Sequence, residues 1–108
     1  MESSRMFRRV KWPKCGLWCP MGKVRTRPTV EVTLSPALPP IPFREVDRQV
    51  EMFAAGCKEA THESAALTLA GIIFYEFERD VTVRVGEADF WAEATIGGES
   101  DGQAERGS

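Results

Sequence analysis

Residues 81–96 read VTVRVGEADFWAEATI. Val81, Val83 and Val85 alternate with Thr82 and Arg84, and strict alternation is the mark of a strand with one buried face. Gly86-Glu87 then offers a turn. Over residues 88–96 the period of two resumes, with Phe90, Ala92, Ala94 and Ile96 on one face and Asp89, Trp91, Glu93 and Thr95 on the other. Two short alternating runs joined by a tight link predict a β-hairpin.

The same pattern occurs once more upstream. In TVEVTL (residues 29–34) Val30, Val32 and Leu34 share a face, while Thr29, Glu31 and Thr33 take the other. Pro28 lacks an N–H, so this strand is expected to begin near Thr29. Residues 36–42, PALPPIP, hold four prolines and predict an extended, semi-rigid connector.

Between the strands the period changes to that of a helix. Val46, Val50, Phe53, Ala54 and Cys57 follow helical spacing, which predicts an amphipathic helix over 43–59. Thr61 reads as the N-cap of a second helix over 62–79. That helix is apolar nearly all round, from Ala65 through Leu69, Ile72 and Ile73 to Tyr75 and Phe77. A small domain cannot cover such a helix on every side, so part of it is expected to pack on a second copy or another protein.

The expected architecture is therefore α+β: a three-stranded sheet with two helices on one face, in the order β-α-α-β-β. The domain is expected over 23–97. Residues 1–22 are expected to be an irregular basic arm punctuated by Pro13, Gly16, Pro20 and Gly22, and residues 98–108 a disordered polar tail.

A chain of 108 residues that is 43% apolar and 28% charged has the makings of one globular domain. Charge is divided unevenly along it. Residues 1–42 carry eight Lys/Arg against two acids, net +6, and residues 43–108 carry six against fourteen, net −8. The longest apolar run, Ala65–Tyr75, is about half of the roughly 20 residues a membrane span needs. Three cysteines and no signal peptide argue against a secreted disulfide framework and for a reducing cytoplasm.

Chemistry-bearing residues are few. Cys15, Cys19, Cys57 and His62 have zinc-ligand chemistry, but their spacings miss the common C-x₂-C knuckle. A Cys57–His62 nucleophile pair would need both groups on one face, which i, i+5 spacing on a helix does not give. Neither a phosphate loop nor a dinucleotide fingerprint is present, so no cofactor is expected.

The leading expectation is a non-enzymatic interaction or assembly module, of the kind found among accessory proteins of phages and other mobile elements. It would act as a homo-oligomer or on a protein partner through Leu69, Ile72, Ile73, Tyr75 and Glu76, with Trp91 and Glu93 adding to an acidic surface. The alternative is a nucleic-acid-binding protein whose arm residues Arg5, Arg8, Arg9, Lys11 and Lys14 contact phosphates while Trp12 stacks on bases. A small zinc or thiol protein is the third reading.

Overall fold

A computed structural model describes residues 4–97. The expected polar tail at 98–108 lies outside the described residues. The α+β class holds, with two helices and an antiparallel main sheet. The elements are β1 (Met6–Lys11), β2 (Leu17–Cys19), β3 (Val24–Thr26), β4 (Thr29–Ser35), α1 (Phe43–Gly56), α2 (His62–Phe77), β5 (Asp80–Glu87) and β6 (Phe90–Ile96). The main sheet has four strands rather than three, in the order β1-β4-β5-β6, and β2 and β3 form a separate two-stranded ribbon.

The extra strand comes from the segment expected to be a loose arm. Met6–Lys11 pairs antiparallel with β4, from Met6 opposite Leu34 to Lys11 opposite Thr29. Its period of two is hidden because an arginine holds an inward position. Arg8 faces the helices, where its Nε and Nη2 donate to both carboxylate oxygens of Asp47 on α1, at 2.8 and 2.7 Å. A bidentate pair of this kind satisfies a charge on an otherwise apolar face. The same hydrogen bonds hold the Arg8 guanidinium above its ordinary pKa. The arm continues into the core: Trp12 and Leu17 are both fully buried. Trp12 packs edge-on against Phe53 with centroids 5.9 Å apart, and its backbone N–H donates to Pro28 at 2.8 Å.

Register explains both faces of the sheet. One face carries the rows Leu34–Val81–Ile96 and Val30–Val85–Ala92. Both helices cover it, contributing Val46, Val50 and Ala54 from α1 and Ala65, Ala66, Leu69, Ala70 and Ile73 from α2 to a single core. The opposite, helix-free face is polar. Across its centre runs the row Arg9–Glu31–Arg84–Glu93. Glu31 is buried to 5% exposure and bonds Arg9 at 2.8 Å and Arg84 at 2.9 Å. Arg84 also lies over the Trp91 ring, 4.5 Å from its centroid.

The hairpin turn falls two residues later than expected. β5 continues through Gly86 to Glu87, and Ala88-Asp89 make the two-residue link, with Ala88 at φ +51°. Gly86 is needed in the strand because a Cβ there would run into the backbone of Phe90 and Trp91. Thr61 caps α2 as expected, accepting from the Ser64 N–H at 3.1 Å. Glu78 closes the helix in the left-handed region at φ +56°. Among the described residues, no helix is long and apolar enough to cross a membrane.

Trp12 separates the arm from the domain most sharply. Trp12→Ala is expected to lower the unfolding free energy by about 3–5 kcal/mol, the range for emptying a buried aromatic site. Urea titration measures this, and a loss below ~0.5 kcal/mol is what a solvated arm residue would give.

Candidate functional site

The ribbon β2–β3 leaves the main sheet after Trp12 and returns at Thr29. Backbone bonds anchor it to the turn between the helices. The Trp18 N–H donates to the Lys58 carbonyl at 3.0 Å, the Ala60 N–H donates to the Trp18 carbonyl at 3.0 Å, and Trp18 forms a parallel bridge with Glu59. Trp18 thus adds one strand position to residues 58–60, which lead directly into Thr61 and α2.

The next residue is Cys19. It opens a tight turn through Pro20, Met21 and Gly22, closed by the Lys23 N–H on the Cys19 carbonyl at 2.6 Å, with Lys23 at φ +54°. The Gly22 N–H donates to the Cys19 Sγ at 3.4 Å, which orients the sulfur. On the other side of the junction, His62 and Glu63 occupy the first turn of α2. Because Trp18 is tied to residues 58–60, Cys19 and these two residues line one cavity of about 520 Å³.

The wall of this cavity is mostly apolar. Met21, Val24 and Phe90 line it, and the polar groups facing in come from Cys19, Thr26, Thr61, His62, Glu63 and Glu87. His62 is 9% exposed, its ring lies 5.4 Å from that of Phe90 at a 35° tilt, and its Nδ1 is buried with no hydrogen-bond partner in the protein. Concave, largely apolar pockets with a few convergent polar groups are the usual form of small-molecule sites.

The residues expected to form a zinc site divide. Cys19 and His62 meet at the cavity, whereas Cys15 is exposed and Cys57 packs against the core. Among the described residues, no three His, Cys, Asp or Glu side chains gather as metal ligands do. Among the described residues no hydrogen bond joins Cys57 to His62, and the thiol that lines the same cavity as His62 is that of Cys19.

The other expected surfaces are also redistributed. Leu69 and Ile73 are fully buried against this chain's own sheet and present nothing to a partner. Ile72 and Trp91 are half-buried, and Tyr75, Glu76 and Glu93 are exposed. Of the residues expected to bind nucleic acid, Trp12 is in the core, Arg8 is paired with Asp47 and Arg9 with Glu31. Arg5, Lys11 and Lys14 remain exposed.

Sequence spacing held no signal for pairing Cys19 with His62, since the backbone bridge at Trp18 makes the connection. Glu63, Thr26 and Glu87 had no signal either. The one local hint is the turn-prone Pro20 and Gly22 directly after Cys19, which put a thiol beside a turn.

Among solved structures, the chain is similar to the archaeosine synthase QueF-Like in its apo form. The TM-score is 0.65, 92% of this chain and 99% of that chain are covered, and 18% of the residues are identical. At this identity the likeness is one of fold. No protein-family model matches the chain, and no curated protein matches it.

Burial pushes the Cys57 thiol above its ordinary pKa, partly offset by a backbone hydrogen bond at Glu59. Since the thiolate is the reactive form, Cys57 is expected to reach half-maximal alkylation at a higher pH than a free cysteine peptide. Peptide-resolved mass spectrometry over pH 6–10 reads the midpoint; a value at or below that of the peptide would contradict this placement.

Proposed function

We propose that this chain is a thiol enzyme acting on a small molecule, with Cys19 as nucleophile and His62 and Glu63 as the groups that handle protons. The observation that carries this reading is the convergence of those three side chains on one largely apolar cavity. A nucleophile and a base facing the same pocket is the general arrangement of covalent catalysis. Cys19 Sγ adds to an unsaturated carbon of the substrate, and the thiol proton passes to His62. The S–C bond forms as the π pair moves onto the attached heteroatom. That heteroatom then takes up the proton that His62 received from the thiol. An enzymatic reading is in keeping with the fold, because a structurally similar protein is named a synthase; the substrate is not carried over at 18% identity. A reducing, cytoplasmic setting belongs to the same proposal, since it keeps Cys19 as a free thiol.

The test is alkylation by iodoacetamide, with Cys15, Cys19 and Cys57 read separately. Cys19 is expected to react, and His62→Ala to slow it by about a hundredfold, the lower end of general-base effects. Cys15 serves as the internal control and keeps its rate. Equal slowing at both cysteines, or none at Cys19, counts against the assignment.

A second reading, the interaction module, draws support from the outer side of α2. Leu67 is 58% exposed and Tyr75 84%, and their spacing of eight residues puts them on one side of α2. Self-association through this stripe predicts a dimer or larger species at micromolar concentration in sedimentation, reduced to monomer by Tyr75→Glu. A monomeric wild type at that concentration opposes self-association.

A further inference from the structure

A second cavity, polar and of about 220 Å³, lies at the other end of β5 from the Cys19 cavity. Asp80 at the start of β5 lines it, whereas Glu87 at the end of the strand lines the first. The sheet register builds its floor on the helix-free face. Thr33, Thr82 and Thr95 stand side by side across β4, β5 and β6, and Ser35 stands opposite Asp80 two residues along. The Thr82 and Thr95 hydroxyls share a hydrogen bond at 3.0 Å.

Arg5 completes the lining. It directly precedes β1, and the carbonyl of neighbouring Ser4 accepts from the Ala37 N–H at 3.2 Å. The connector that carries Ala37 is held in turn by Arg79, whose guanidinium donates to the Pro36 and Pro39 carbonyls. The main chain at Arg5 is thus fixed from both sides.

The groups of this lining are open to an entering molecule. Arg5, Asp80 and Thr95 are exposed, and Thr33, Ser35 and Thr82 are half-buried. Among the described residues neither Arg5 nor Asp80 enters an ion pair, whereas Arg8, Arg9 and Arg84 of the same sheet all do. One cavity therefore carries a positive and a negative group that do not neutralise each other. A lone anion would gain Arg5 and meet Asp80, and a lone cation would meet the reverse. A molecule bearing both signs gains a charge-assisted contact at each end, while hydroxyls between them donate or accept. At roughly 30 Å³ per water molecule, the cavity has room for about seven. That suits a free amino acid with a small side chain.

We propose that this cavity binds a small zwitterion of the α-amino acid class, Arg5 taking its carboxylate and Asp80 its ammonium group. The site is independent of the thiol chemistry at Cys19. Amide chemical-shift titration of the full chain with L-serine tests it, with glycerate, which lacks the ammonium group, and ethanolamine, which lacks the carboxylate, as counterparts. Serine is expected to shift Thr33, Ser35, Thr82 and Thr95 saturably, with a Kd of about 1 mM or below. Each single-charge counterpart is expected to bind about tenfold more weakly or worse, the scale of one lost hydrogen bond between charged groups.

Arg5→Gln and Asp80→Asn are each expected to weaken serine binding by about tenfold or more. Arg5→Met and Asp80→Ser replace them if thermal melts show that either does not fold. The proposal is overturned by the absence of saturable shifts, or by shifts centred on His62 and Phe90 instead. Glycerate or ethanolamine binding as tightly as serine overturns it too, as does an affinity for serine that the variants leave unchanged.

Discussion

Two backbone hydrogen bonds, from Trp18 to Lys58 and from Ala60 to Trp18, join the β2–β3 ribbon to the turn between the helices. They lie at the edge of the fold, yet the candidate site depends on them. The ribbon pairs through only three positions, from Leu17 opposite Thr26 to Cys19 opposite Val24. A two-stranded ribbon is marginally stable alone. What holds it is Leu17 and Trp12 in the core behind it, and residues 58–60 beside it. Through this bridge a cysteine at a turn tip and the first turn of α2 come to share a cavity.

The two faces of the main sheet divide the work. The inner face is a nearly continuous valine surface under both helices, and its burial is the main stabilising term. The outer face has no helix. Its central row alternates charge across all four strands, so each neighbouring pair is attractive, and cross-strand pairs of opposite charge favour one register. Glu31, nearly buried between Arg9 and Arg84, would lose both partners in a one-residue slip, which would also turn the valines outward. The arginine at the inward position of β1 extends the same logic to the helix layer, because its pair with Asp47 ties the edge strand to α1.

Much of this architecture was legible in the chain. Alternation marked β4, β5 and β6, helical spacing marked α1 and α2, and Thr61 marked the start of α2. The first strand was not, because Arg8 stands where an apolar residue would show the period and Pro13 and Gly16 follow closely. For the same reason Trp12 read as an exposed stacking residue when it is a core residue. The breadth of apolar character on α2 was visible, but periodicity could not tell Leu69 and Ile73, which face the sheet, from Leu67 and Tyr75, which face outward. Least legible was the site, since Cys19 and His62 come to line one cavity through main-chain bonds that almost any residue at position 18 would permit.

The central claim is spatial: the thiol of Cys19 shares one cavity with the start of α2 and the start of β6. Amide chemical-shift mapping of a Cys15→Ala, Cys57→Ala protein, before and after carbamidomethylation of Cys19, tests it most directly. The account predicts shifts at residues 18–26 and also, across the cavity, at His62, Glu63 and Phe90. Changes confined to residues 17–24, with His62 and Phe90 unmoved, would contradict it.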